Sequence, residues 1–219
     1  MRNILLLFVA MLTLIALSTE VAMSKTKEIR LPPPKTKSAV SLEEAIAKRH
    51  SIRSFSNKDL TEEQISQLLW AAQGITSGES SHAFRAAPSA GALYPIDVYL
   101  VGKNGLFRYL PQGHKIELLN EKDLRKNLSS AALGQLSVND AAVDLVICGI
   151  PSRITGKYGE RGIKYMYMEA GHIAQNIHLE ATALGLGSVP VGAFNDKLAD
   201  ECLIYPRVAM CSILFPLDI

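Results

Sequence analysis

Three short β-forming runs, Ile96–Val101, Leu106–Leu110 and Lys115–Leu119, follow one another along the chain. Only a Lys103-Asn104-Gly105 turn and a Pro111-Gln112-Gly113-His114 turn separate them. Connections this short join strands that run back beside each other, so the segment predicts an antiparallel meander. Helices are predicted on either side of it. Ser41-Leu42-Glu43-Glu44 has capping-box spacing and opens a helix to about Lys48. Thr61-Glu62-Glu63-Gln64 opens a second that runs to Gln73 and stops at Gly74. The strongest helical periodicity spans Ile163 to Leu184 and ends on Gly185-Leu186-Gly187. Helices and an antiparallel meander in this order give an α+β fold, with a central, mostly antiparallel sheet flanked by helices.

The remaining elements are shorter. Ser, Gly and Ala between Thr76 and Ala86 predict a loop, and helical spacing returns from Glu121 to Gln135. Asp144–Ile150 reads as a buried strand, Ser188–Val191 as another, Asp196–Cys202 as a short helix and Val208–Phe215 as the last strand. In the long helix Ala170, Gly171, Ala174, Ala181 and Ala183 are small, which lets another helix approach closely, within the chain or across a dimer.

The chain begins with a short basic start, Met1-Arg2-Asn3, followed by an apolar run from Ile4 to Leu17 and a small, polar stretch to Ser24. Residues 1–24 read as a secretory leader, or as an anchor if uncleaved, and place the protein outside the cytoplasm or at a membrane. Residues 25–40, with Pro32-Pro33-Pro34 and scattered lysines, read as an extended connector, leaving 41–219 as the folded domain. The balance of 23 basic and 21 acidic residues contains no concentrated basic run, which excludes a nucleic-acid partner. Cys148, Cys202 and Cys211 are an odd number at no metal-ligand spacing, so no metal site is expected.

Three segments carry chemistry. Arg49 and Arg53, in Arg49-His50-Ser51-Ile52-Arg53, are spaced to flank one phosphate by charge-assisted bonds. Ser89-Ala90-Gly91, inside Ala87 to Pro95, forms a turn whose backbone N–H groups and hydroxyl can line a flat ring or its ribityl chain. Pro190-Val191-Gly192, after Gly187-Ser188-Val189, lets such a ring approach the backbone. Together they describe a flavin site.

With these segments in view, the chain resembles the nitroreductase superfamily of FMN-dependent oxidoreductases, and within it the SagB-type branch related to azoline oxidases. The resemblance runs from Leu31 to Phe194. It rests on Leu31 to Pro34, Arg49 to Phe55, Ala87 to Pro95, Ala131 to Gln135, Lys157 to Gly162, Glu169 to Asn176 and Ala183 to Phe194. It implies a homodimer with FMN at the subunit interface, each site built from both chains. Carried over by position, Arg49, His50, Ser51 and Arg53 hold the phosphate and ribityl end. Ser89, Ala90 and Gly91 line the flavin, and Pro190, Val191 and Gly192 lie against the ring. In azoline-oxidising relatives a Lys-Tyr pair at the position of Lys157 and Tyr158 is implicated in removing a substrate proton. A lysine acts as a base only where burial or a nearby cation lowers its pKa.

The chain departs from the pattern at its end. Family members usually finish with a Pro-x-Gly turn and a basic residue near the phosphate, whereas this chain ends Phe215-Pro216-Leu217-Asp218-Ile219. The function expected is two-electron hydride transfer through FMN from NAD(P)H to a nitro, quinone or similar small acceptor. A peptide-modifying azoline dehydrogenase is one alternative, and a flavin-binding protein without turnover is the other.

Overall fold

The computed structural model describes residues 27–56, 58–77, 83–203 and 210–218. Two capped helices open the domain. In α1 (Leu42–Lys48) the Ser41 hydroxyl accepts from the Glu44 N–H at 3.1 Å. In α2 (Glu62–Gln73) the box is reciprocal: Thr61 Oγ1 accepts from Gln64 N–H and the Thr61 N–H donates to Gln64 Oε1. These bonds satisfy first-turn donors that otherwise have no partner in the helix. Gly74 closes α2 by donating its N–H to the Trp70 carbonyl.

The meander forms as the turns require. Strands β4 (Ile96–Gly102), β5 (Gly105–Leu110) and β6 (Lys115–Asn120) pair antiparallel in sequence, with Gly102 opposite Gly105 across the first turn. Gly105 has φ +126°, a backbone conformation that L side chains rarely adopt. Numbering β1 (Glu28–Arg30), β2 (Ile75–Ser77), β3 (Phe84–Arg85), β7 (Val143–Gly149), β8 (Gly187–Ser188) and β9 (Met210–Asp218), the main sheet has the order β1-β6-β5-β4-β7-β9-β8. Every adjacent pair in it is antiparallel.

Side chains alternate across this sheet into two cores. Ile96, Val98 and Leu100 of β4 face one, with Leu68, Leu69, Met166, Ile173 and Ile177. Tyr99 and Val101 face the other, with Leu128, Val138, Val191 and Ala199. Strands buried on both faces therefore read as continuous apolar runs. The first core is built on α2 and on the long helix α6 (Arg161–Ala183), whose Met166, Ala170, Ile173, Ala174, Ile177 and Ala181 form one buried stripe. The second lies under α3 (Arg125–Ala131), α4 (Leu136–Asp140) and α7 (Asp196–Cys202).

Several expectations need correction. Residues 25–40 are not merely a connector: Glu28–Arg30 pairs with β6 as an edge strand and Leu31 is buried, so the folded domain starts before Ser41. A three-residue strand shows no readable periodicity, and its partner supplies the pairing. The predicted loop after Thr76 contains the small β2–β3 pair. The helix predicted over 121–135 shortens to α3, which ends ahead of Leu133 and Gly134 with their positive φ, and α4 follows as a separate short helix. A further short helix, α5 (Ser152–Tyr158), precedes α6. The strand predicted at 188–191 shrinks to Gly187–Ser188, and the last strand runs to Asp218. The leader lies outside the described residues. Among those described, no helix is long and apolar enough to cross a membrane.

Gly149 sits where α6 crosses β7, and a methyl group there would be driven into the Met166 thioether. Gly149→Ala is expected to destabilise the domain by about 1–3 kcal/mol through overpacking. A lower urea midpoint with unchanged slope would register it.

Candidate flavin site

The arginine segment leaves α1 and docks on β8. The Ile52 N–H donates to the Ser188 carbonyl at 3.0 Å. Gly187 allows this, since a Cβ there would lie 3.0 Å from Ile52 Cγ2 and 3.4 Å from Phe55. Thus Arg49 to Arg53 and Gly187 to Gly192, far apart in sequence, share one corner of the domain. Arg49 is partly buried, while His50, Ser51 and Arg53 are exposed. On the other segment Val191 is buried in the second core, leaving Pro190 and Gly192 exposed.

His178 of α6 orders this corner. Arg49 NH1 lies 3.1 Å from its Nε2, and its Nδ1 lies 2.6 Å from Ser188 Oγ. A guanidinium only donates, so Nε2 accepts, and the neutral ring carries its proton on Nδ1 and donates to Ser188. Burial, then the Arg49 charge, then His50 depress the His178 pKa to about 4. A neutral, tautomerically fixed imidazole thereby holds a guanidinium without cancelling its charge. The His50 ring is engaged elsewhere, with Nδ1 2.9 Å from the Lys48 carbonyl oxygen.

A second cluster forms around the Ser89-Ala90-Gly91 turn, which is a short 3₁₀ turn over Ala90–Ala92. Ser89 Oγ accepts from the Tyr94 N–H at 2.9 Å and closes the turn. Gly91 has φ +62°, and a Cβ on it would stand 2.7 Å from Tyr158 Oη and 2.8 Å from Lys157 Nζ. The turn and the Lys-Tyr pair at the end of α5 therefore meet directly. Lys157 is exposed, and its ammonium lies 5.4 Å from the centre of the Tyr158 ring. Tyr158 packs edge-on against Tyr165 of α6, with ring centres 5.2 Å apart.

Behind this turn lies Glu169 of α6, 1% exposed. Gln73 Nε2 donates to its Oε1 at 3.1 Å, and Arg85 NH1 donates to Gln73 Oε1 at 3.3 Å. Burial raises the Glu169 pKa, with Ser89, Gln73 and Arg85 pulling it down.

The structure thus joins the Arg49–Arg53 segment to Gly187 and Ser188, just ahead of Pro190 to Gly192, and the Ser89–Gly91 turn to Lys157 and Tyr158. Both hang on α6, behind Glu169 in one case and at His178 in the other, about 14 Å apart along the helix axis at 1.5 Å per residue. Sequence reading takes His178 for an interface or core histidine and Glu169 only as part of a family segment, and gives neither a site role. The available signal was a polar residue at the edge of an apolar helical face, because a buried polar group needs a partner.

Fold and site define a class. The chain belongs to the nitroreductase family, whose model matches residues 46–214. A candidate nitroreductase of Methanocaldococcus jannaschii, MJ1384, is 39% identical over 197 residues, covering 86% of this chain and 96% of that protein. A solved structure of a candidate nitroreductase from Ralstonia eutropha superposes with a TM-score of 0.78 at 30% identity, covering 87% and 88% of the two chains. The microcin B17-processing protein McbC of Escherichia coli is 32% identical over 127 residues, which is 52% of this chain and 46% of McbC. Members of this family are typically FMN-dependent oxidoreductases.

The depressed His178 pKa has a signed consequence. The folded ring takes up its proton only near pH 4, whereas an unfolded histidine does so near its ordinary 6.5. Between those values the unfolded state binds more protons, so stability is full above about pH 6.5 and falls as the pH drops towards 4. In His178→Gln this part of the acid loss should disappear, as measured by urea unfolding at pH 7, 5.5 and 4.5. An unchanged pH slope would mean that His178 is not held neutral.

Proposed function

We propose that the chain is an FMN-dependent oxidoreductase that moves two electrons as hydride from NAD(P)H to a nitro, quinone or similar small organic acceptor. The observation that carries this reading is the meeting of distant segments in two clusters: the arginine segment with Gly187–Ser188, and Gly91 with Lys157 and Tyr158. Bound FMN would supply a ring that accepts a hydride and passes it on.

The residues present fit that group. Arg49 and Arg53 offer guanidiniums for a phosphate, and His178 holds Arg49 in place while remaining neutral. Gly192 leaves its backbone open, since a Cβ there would meet nothing within 4 Å, while Gly91 lets Lys157 and Tyr158 close on the Ser89 turn. The two clusters sit apart within one chain, so a complete site is best built by a homodimer in which each chain supplies one cluster. Exposed Tyr167 and Met168, with Gly171 and His172, give α6 a surface for that pairing. The apolar leader supports export or retention at a membrane.

A second reading, an azoline-type peptide dehydrogenase, draws on the partial McbC match and on the adjacent Lys157 and Tyr158. In that role Lys157 would take a proton from the ring carbon next to the one that gives up its hydride, so that the double bond forms between the two. Its own chain leaves Lys157 exposed, so the covering that a base needs would have to come from the partner subunit or the substrate.

The purified protein, incubated with FMN and freed of excess, should retain flavin absorbance that bleaches with anaerobic NADH or NADPH and returns on adding a quinone. A colourless protein after reconstitution would overturn the reading. Arg49→Gln and Arg53→Gln should each weaken FMN binding by roughly one to two decades, the loss of one charge-assisted contact. In Lys157→Ala, normal flavin content with lost azoline oxidation would favour the second reading, and unchanged quinone turnover would favour the first.

A further inference from the structure

A cavity of about 340 Å³ opens beside the Ser89–Gly91 turn, lined among others by Arg85, Tyr94, Asp97, Arg108, Gln112 and Arg153. That size lies at the small end of small-molecule sites, roughly 300–1,000 Å³. Three of its lining residues are arginines, and two are matched by acids. Arg153 forks onto both oxygens of Asp97 at 2.6 and 3.1 Å. Arg108 places Nε and NH2 on Glu117 Oε2 at 3.0 and 2.6 Å.

Arg85 differs. Among the described residues no carboxylate forms an ion pair with it. Its partners are the neutral Gln73 amide at 3.3 Å and the face of the Tyr94 ring, whose centre lies 4.3 Å from the guanidinium carbon. Asp97 is forked by Arg153, and Glu169, whose charge acts on Arg85 without a direct contact, has one oxygen on Gln73 and the other without a hydrogen-bond partner among the described residues. Burial lowers the Arg85 pKa, the cost of holding that charge away from water. A stacked, partly desolvated guanidinium with donors to spare is a receptor for a planar anion.

The cavity adjoins the proposed chemistry. Arg153 and Lys157 stand four residues apart on α5, hence on one face, the first reaching the cavity and the second reaching Gly91. Tyr94, beneath Arg85, is fixed by its N–H to Ser89 of the same turn.

The geometry points to an organic-carboxylate subsite centred on Arg85, which anchors a small acid so that the rest of the molecule extends past Arg153 towards Lys157 and Tyr158. In treating the anchored acid as the reacting substrate, the inference rests on the oxidoreductase reading. The binding itself does not.

The test uses 4-(trifluoromethyl)benzoate and the matching benzamide as fluorine-NMR probes of the FMN-loaded protein and of the protein before loading. The acid should bind saturably and the amide on the order of tenfold more weakly or not at all, with Arg85→Gln losing that preference. Equal binding of acid and amide, binding of neither, or an unchanged preference in a folded Arg85→Gln would overturn the proposal. Should Arg85→Gln not fold, the acid-to-amide comparison on the unaltered protein still decides, and Arg85→Lys adds the loss of the planar fork. Retained flavin with no acid preference sinks the subsite alone, whereas acid preference without retained flavin sinks only the oxidoreductase reading. Displacement of the probe by a short peptide acid but not by its C-terminal amide would assign the carboxylate to a peptide. Displacement by small aromatic acids alone would assign it to a free acid.

Discussion

The seating of α6 against the sheet is the constraint on which the rest depends. Met166 occupies the space left by Gly149, and the stripe from Ala170 to Ala181 closes the first core. From the same helix, Asn176 donates to the carbonyls of Ala71 and Ala86 at 3.1 and 3.2 Å. Those bonds tie the end of α2 and the start of the Pro88-Ser89 turn to one rigid axis. Glu169 and His178 then reach the two clusters from that axis. An error in its placement would be felt at both, because packed interiors transmit displacement rather than absorb it.

Electrostatics separates the two clusters. At the β8 corner the histidine is driven neutral by burial and by the Arg49 charge, so the guanidiniums keep their positive field. Behind the Ser89 turn, burial raises the Glu169 pKa and lowers that of Arg85, each opposed by the other's charge, and the two make no direct ion pair. Each device holds local positive charge available for an anion. Each also needs a buried polar side chain with defined partners, which is costly to keep unless those partners are in place.

The departure at the chain's end takes on meaning within the sheet. Met210–Asp218 pairs with β7 along most of its length and with β8 at its tip, so it is an interior strand of the main sheet. Through β8 it supports Gly187 and Ser188, the residues on which Ile52 and His178 settle. The C-terminal segment therefore serves the arginine corner by position.

Local order was legible in the sequence. Capping at Ser41 and Thr61, the stop at Gly74, the meander turns and the span of α7 depend on neighbours within a few residues, and the pattern states them directly. The family and its segments were legible too, because motif residues keep their order along the chain. Elements held by distant partners were not. Glu28–Arg30 becomes a strand only because β6 offers an edge, and the helix predicted over 121–135 stops ahead of Leu133 and Gly134, which turn over the second core. The site divides in the same way. Sequence alone named Arg49, Gly91, Lys157 and Gly192. Only the tertiary structure decided that Gly91 meets Lys157 and Tyr158, that His178 holds Arg49, and that Arg85 faces a cavity without an acid of its own, since those facts are distances between residues many turns apart in the chain.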